Sequence, residues 1–252
     1  MLTVPTLSDD LIDGFHRDGF TFLPGSFGSA EMEQIERWAT EVQNLPEISG
    51  KQWVYHEPSL NGSGEDLINR IEMIAPFHAG FESLIDVLKA PVAQLLAEEA
   101  VLFKEKINFK MPGGDGFKPH QDAQAGWERY ASYFINVMVC IDEATVENGC
   151  LQLAAGHHKN GIAKEWEPLS DGELATMNFV TLPSKPGDIC FFDSYAPHQS
   201  DPNTSDKIRR LYFATYNRVS EGDHHDAYYA DKFANYPPDI DREKDKEYVY
   251  RV

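Results

Sequence analysis

The run Val101 to Met111, VLFKEKINFKM, constrains the fold most, because it alternates along its length and then meets a glycine-rich turn, MPGGDG. In extended backbone, successive side chains point to opposite faces. Alternation therefore puts Val101, Phe103, Ile107 and Phe109 on one face, with Glu105 as the exception, and Lys104, Lys106, Asn108 and Lys110 on the other. Such a segment asks for a sheet with one covered face. Tyr133 to Asp142, YFINVMVCID, reads as a buried strand, Asp188 to Asp193 as a return strand, and RLYFATYN beside Arg209 as another. Several strands parted by glycine and proline turns, with helices mainly toward the N-terminus, predict a mainly β chain with flanking helices, a double-sheet jelly roll.

Around these strands, Ser8 to Phe20 reads as a short helix capped by Ser8, with Leu11, Ile12 and Phe15 on one side and Gly19 ending it. A strand, TFLPG, follows. From Ser29, the residues Met32, Ile35, Ala39 and Val42 recur at helical spacing, with Glu31 and Glu33 in the first turn. Phe81, Leu84, Ile85 and Leu88 mark another helix, which Pro91 breaks or restarts. His56 to Asp66, HEPSLNGSGED, predicts a loop able to close over a site, and Lys159 to Asn178 a polar connection. His224 and His225 read as surface residues, and the tail from Ala227 to Val252 as a wrap around the barrel. One domain over 1–252 is expected, with helical support over 1–100, a jelly-roll core over 101–220 and the wrap over 221–252.

Charge limits the partners. With 41 acidic against 22 basic residues the chain carries a net charge of -19, which repels phosphate backbones and anionic lipid. Nucleic acid and membrane surfaces are therefore not expected, and an anionic small molecule has to be captured by a local group of cations. Cys140, Cys150 and Cys190 lack metal-ligand spacing and read as reduced core thiols of a cytoplasmic protein. The N-terminus shows no signal-peptide pattern, and no apolar run approaches the length of a membrane span. Oligomeric state is left open.

The chemistry gathers at Phe117 to Trp127, FKPHQDAQAGW, where His120 and Asp122 stand two residues apart. His198, in YAPHQSD, would complete three ligands. Two neutral imidazoles and one carboxylate on one side of a metal leave the opposite positions open, as in non-haem Fe(II) oxygenases. Arg209 can grip a carboxylate by a bidentate pair. An H-x-D pair alone reads equally well as a hydrogen-bonded pair in a loop; its company of His198, Ser200, Arg209 and Lys110 favours the metal. Other residues have two readings. Lys104 and Lys106 are either the wet face of a strand or cations at a barrel mouth. Asn136 is a satisfied core amide or a cosubstrate contact. Trp127 is a packed ring or pocket lining, and Arg210, on the opposite face of its strand from Arg209, makes a structural pair. The same three ligands can also hold catalytic zinc, so a metal-dependent hydrolase or a non-catalytic metal-binding barrel is the reading from another class.

With the metal motif, NGCLQLAAGHHKNG and KPGDICFFDSYAPHQS, the sequence resembles the phytanoyl-CoA dioxygenase family of Fe(II)- and 2-oxoglutarate-dependent oxygenases over most of the chain. His157 stands where that family usually has serine. The resemblance implies a double-stranded β-helix of cupin-like form, with Fe(II) on His120, Asp122 and His198. It implies that 2-oxoglutarate is held by Arg209, Ser200 and Lys110, with Asn108 and Asn136 nearby, and that O2 is the oxidant and ascorbate the reductant in vitro. Gln124 and Trp127 fall where the family's loop meets substrate. With Asp122 present, halogenation is disfavoured. HQDAQAGWERYA and ENGCLQLAAGHHKNGIAKEWEPL are most similar to the members that hydroxylate 2-aminoethylphosphonate at the carbon bearing phosphorus, which would suit Lys104, Lys106 or Arg129. Another small metabolite, ectoine-like or betaine-like, is the alternative, and an acyl-CoA comes third.

Overall fold

The computed structural model describes residues 2–167 and 169–248. In chain order the elements are α1 (Asp9–Asp18), β1 (Phe20–Leu23), α2 (Ser29–Gln43), β2 (Trp53–Pro58), β3 (Asp66–Glu72), α3 (Ala79–Leu96), β4 (Ala100–Lys110), β5 (Phe117–His120) and β6 (Ile135–Cys140). They continue with β7 (Leu151–Ala154), α4 (Asp171–Leu174), β8 (Phe179–Leu182), β9 (Ile189–Asp193), β10 (His198–Ser200), β11 (Arg209–Arg218) and α5 (His225–Asn235). The strands form a seven-stranded sheet, β1-β9-β6-β11-β4-β3-β2, facing a four-stranded sheet, β5-β10-β7-β8. The paired strands are antiparallel throughout. This is the expected jelly roll.

The large sheet is buried on both faces at its centre. Val137, Val139, Ile189, Phe191, Tyr212 and Ala214 pack outward under α2 and α3, while Met138, Cys140, Cys190, Phe192 and Leu211 pack inward on Leu151 and Leu153 of the small sheet. All three cysteines are free and buried. In α2, Met32, Ile35, Ala39 and Val42 form the buried stripe, and Glu31 caps the Gly28 N–H at 2.9 Å. Helix α3 runs unbroken through Pro91, contrary to the expected break. An interior proline costs about 3 kcal/mol. Leu88, Val92, Leu95 and Leu96 are all buried around it, and each contributes roughly 1.5–3 kcal/mol, so burial wins.

Three expectations need correcting. Alternation does not persist through β4: Thr215 pairs with Lys104 but Tyr216 with Leu102, so Phe103 is an extra residue in a β-bulge. The bulge switches parity, so Ala100 packs with Ile107 and Phe109, while Phe103 lies in a separate cluster with Trp127, Phe134 and Tyr228. The stretch His56 to Asp66 is not a loop throughout, since His56 to Pro58 complete β2 and Asp66 begins β3, leaving 59–65 between them. Finally, β1, β2 and β3 belong to the large sheet, so the boundary expected at residue 101 separates no layer of the structure. The tail does more than wrap. Helix α5 buries Tyr228 and Tyr229, and the Asp239 carboxylate accepts from the His56 backbone N–H at 2.6 Å. Residues 249–252 of the expected wrap lie outside the described residues. Among the described residues no helix is long and apolar enough to cross a membrane.

Candidate active site

His120 ends β5 and His198 begins β10, and the two are direct partners across that ladder, with ring centroids 4.2 Å apart. The chain leaves the strand after Gln121 in a short 3-10 turn, Asp122–Ala125, which swings Asp122 toward both rings. Its oxygens lie 3.8 Å from His120 Nε2 and 3.9 Å from His198 Nε2. Ligand atoms of these three residues fall within 4.8 Å of one another. Gln121 pins the turn from behind: its Nε2 donates to the Gly161 and Tyr195 carbonyls at 2.8 and 2.7 Å, and its Oε1 accepts from the Ala163 N–H at 2.8 Å.

Both imidazoles are oriented from outside the triad. His120 Nδ1 lies 2.7 Å from the Lys118 carbonyl and His198 Nδ1 lies 3.0 Å from that of Ala196, which fixes the tautomer and leaves each Nε2 lone pair for a metal. Burial, then the neighbouring His198, pushes His120 down to about 3, and burial lowers His198 as well. Burial would raise Asp122, but His198, Lys104, His120 and Lys106 outweigh it and bring the carboxyl to about 2. Two neutral imidazoles facing one carboxylate is the donor set that a divalent metal requires.

A cavity of about 470 Å³ opens beside the triad, lined on the large sheet by Asn136, Phe192, Arg209, Leu211, Phe213 and Thr215. Arg209 is 2% exposed, and among the described residues its Nε and Nη2 have no hydrogen-bond partner. Burial lowers it only to about 10, so it stays charged. A buried guanidinium with two unpartnered donors fits a bidentate carboxylate. Around it, Asn136 Nδ2 and Asn108 Oδ1 are also buried without partners among the described residues, although Asn136 Oδ1 accepts from Thr215 Oγ1 at 2.7 Å. Asn136 is thus half satisfied by the core and half turned over to the cavity. Ser200 lines the cavity as well.

Lys110 is placed differently from the expectation. Its ammonium donates to Ser200 Oγ at 2.7 Å and to the Asp201 carbonyl at 2.5 Å, so it stands behind Ser200. Gly149, at φ +74°, permits this: a Cβ there would lie 2.0 Å from the Asp201 oxygen and 2.8 Å from Lys110 Nζ. Burial and then Arg209 bring Lys110 down to about 7. Arg210, on the outer face, pairs with both Asp142 oxygens at 2.7 and 2.8 Å, as alternation requires.

The expected substrate residues divide. Lys104 and Lys106 line the main cavity and also a second one of about 380 Å³, which shares Trp166 and Tyr236 with it. Trp127 and Arg129 line only the second. The Trp127 ring carries the Lys104 ammonium at 4.1 Å, and Arg129 pairs with Asp231 at 3.5 Å. Gln124 lines neither cavity. It is fully buried, its Nε2 donates to the Lys164 and Glu167 carbonyls at 2.6 and 2.7 Å, and its Oε1 accepts from the Gln121 N–H at 2.7 Å. Those bonds make it a clamp for the segment that carries Trp166, and correct the substrate role. Sequence reasoning missed Arg70, His56, Phe192, Phe213, Trp166 and Tyr236 in the lining. For Phe213 a signal existed, since it shares the parity of Arg209; for Arg70 and Tyr236 none did, because residues 67–72 show no reading of their own and the tail reads only as a wrap.

The phytanoyl-CoA dioxygenase (PhyH) family profile matches residues 15–211. The chain is 40% identical over 238 residues to the 2-aminoethylphosphonate dioxygenase of uncultured bacterium HF130_AEPn_1, covering 92% of this chain and 89% of that protein. It is 38% identical over 232 residues to the methylphosphonate hydroxylase of Gimesia maris, covering 90% and 87%. Among solved structures, EctD from S. alaskensis with 2-oxoglutarate and 5-hydroxyectoine aligns with a TM-score of 0.75 at 23% identity, over 88% of this chain and 82% of that one. The epimerase SnoN, in complex with Fe3+, alpha ketoglutarate and nogalamycin RO, aligns at 0.70 and 19% identity, over 96% and 94%. A family match across most of the length, on a jelly roll that brings two histidines and an aspartate together, makes the chain a member of the phytanoyl-CoA dioxygenase family and a dioxygenase.

Proposed function

We propose that the chain is an Fe(II)- and 2-oxoglutarate-dependent hydroxylase of a small phosphonate, with 2-aminoethylphosphonate oxidised at the carbon bearing phosphorus. The observation that carries this reading is one cavity holding the His120–Asp122–His198 triad, the unpartnered Arg209 donors and the Lys104 and Lys106 ammoniums. The relative that shares 40% of its residues is named for that substrate. The methylphosphonate relative favours a second substrate with the same anionic end.

His120 and His198 would hold iron through Nε2 and Asp122 through a carboxylate oxygen. Arg209 and the Ser200 hydroxyl receive the far carboxylate of 2-oxoglutarate, and Lys110 adds positive charge from behind Ser200. Iron bound there would supply, with O2, the oxidative chemistry that converts 2-oxoglutarate to succinate and carbon dioxide and hydroxylates the substrate carbon. Phe192, Leu211 and Phe213 keep water from the reacting side, while Lys104 and Lys106 attract an anion into a chain that is otherwise strongly negative. A hydrolase on zinc would make no use of the buried Arg209.

The test is succinate release by protein supplied with Fe(II), ascorbate and 2-oxoglutarate, comparing 2-aminoethylphosphonate, methylphosphonate and ectoine. Succinate matched by a hydroxylated phosphonate in the phosphorus NMR spectrum is the expected result. Stimulation by ectoine alone would remove the phosphonate and keep the oxygenase chemistry.

A further inference from the structure

Glu72 on β3 stands directly opposite Lys106 on β4. Opposite charges at facing positions of an antiparallel pair ordinarily join. Here both Glu72 oxygens are taken by other cations. Oε1 accepts from Arg70 Nε at 2.7 Å, and Oε2 accepts from Lys232 Nζ at 2.5 Å. The carboxylate is 2% exposed; burial opposes its charge, but Lys232, Arg70, Lys106 and Lys104 together hold its pKa well below the ordinary range.

Lys106 is left over. Among the described residues no carboxylate lies within ion-pairing distance of its ammonium, which sits 6.0 Å from the Phe117 ring centroid and 5.7 Å from that of Phe213, where the two cavities meet. Glu72, the carboxylate across the ladder, is already held twice, and Asp122 in the same cavity belongs to the triad. A half-buried cation without a counter-ion is stabilised by any anion that enters.

Position then selects among the cations. In a substrate oxidised at the carbon bearing phosphorus, the phosphonate is one bond from the reacting atom and so must lie beside the triad. Lys104 and Lys106 both line the cavity that holds His120, Asp122 and His198. Arg129 is engaged with Asp231 and lines only the second cavity, so it is too remote. Lys232 comes from α5, beyond the residues 15–211 that match the family.

We infer that Lys106 is the phosphonate-binding cation, and that Lys232 is a positioning residue that, by holding Glu72, keeps Lys106 unpaired for the substrate. This rests on the phosphonate reading and adds to it a specificity element in the C-terminal helix. Without Lys232, one Glu72 oxygen is released and can pair across the strands with Lys106.

The experiment is anaerobic calorimetric titration of 2-aminoethylphosphonate into protein loaded with Fe(II) and 2-oxoglutarate. Lys106→Met weakens binding about ten- to hundredfold, the range of one charge-assisted hydrogen bond. Lys232→Met weakens it about tenfold, and adding Glu72→Gln to Lys232→Met restores most of the loss, because the competing carboxylate is gone. A merely structural Lys232 would give no such rescue. Affinity for 2-oxoglutarate stays constant across the set and reports that each variant is folded. Wild-type affinity in Lys106→Met or Lys232→Met, or a double variant as weak as Lys232→Met, would overturn the inference. Binding that follows this pattern without succinate release would instead sink the hydroxylase assignment and leave Lys106 in place.

Discussion

Arg209 and Lys110 are direct partners across the β4–β11 ladder, yet only Arg209 opens onto the cavity, because Ser200 of the small sheet stands over Lys110. Among the described residues neither cation is ion-paired with a carboxylate, so an incoming dianion completes the site. Arg209→Met is expected to raise the apparent KM for 2-oxoglutarate by roughly two orders of magnitude, since truncating one partner of a buried charge pair costs about 2–5 kcal/mol. The substrate KM at saturating 2-oxoglutarate stays close to wild type. Unchanged 2-oxoglutarate dependence would remove Arg209 from this role.

The Lys110 ammonium, brought down to about 7 by burial and Arg209, gives a pH signature. Below that value it is charged and favours a bound carboxylate; as pH rises through it the free protein loses the charge. The KM for 2-oxoglutarate should therefore climb between pH 7 and 8.5, by at most about tenfold per pH unit. Lys110→Met should bind 2-oxoglutarate more weakly and show a flat profile. A wild-type profile that is also flat would count against it.

Asp122→Ala and His198→Ala each remove one of three converging donors. Stoichiometric iron binding and turnover should both be lost, while the apo-protein melting temperature stays within roughly 2–4 °C of wild type. Iron content by elemental analysis with a thermal melt checks both halves.

Gln124→Leu leaves the Lys164 and Glu167 carbonyls and the Gln121 N–H without their side-chain partner. Destabilisation of about 1–3 kcal/mol is expected, with faster amide exchange over 164–167. Weakened substrate binding at a normal melting temperature would return Gln124 to the substrate.

Glu105 is 1% exposed, and burial raises its carboxyl to about 7 although the Ile74 and Ala75 N–H groups donate to Oε1. A folded pKa above the unfolded one means stability that is complete below about pH 4.5 and declines as pH rises toward 7. Glu105→Gln should match wild type near pH 4.5 and exceed it by about 2–3 kcal/mol at pH 8. Denaturant melts at the two pH values measure the difference, and equal stabilities at pH 8 would refute it.

Period and spacing made much of this legible. The stripe Met32, Ile35, Ala39 and Val42 defined α2, alternation separated Arg209 from Arg210, and the motif residues His120, Asp122 and His198 meet within 4.8 Å. The first two follow from side-chain direction along one element, whereas the third needs the β5–β10 ladder to set His198 opposite His120. The bulge at Phe103 was not legible, since only pairing with β11 reveals an extra residue. Nor was the fate of Gln124, whose amide is spent on carbonyls from a segment far along the chain.

By itself the sequence determined the jelly roll, the three candidate ligands and the guanidinium that shares their cavity. The tertiary structure alone decided which cations remain available. Lys106 and Lys110 look equivalent on one strand face, yet Lys110 is consumed by Ser200 and Asp201, whereas Lys106 is left unpaired among the described residues because Arg70 and Lys232 hold Glu72. Charge pairing in a desolvated interior depends on which distant side chains arrive within about 3 Å, and no period in a linear sequence records that.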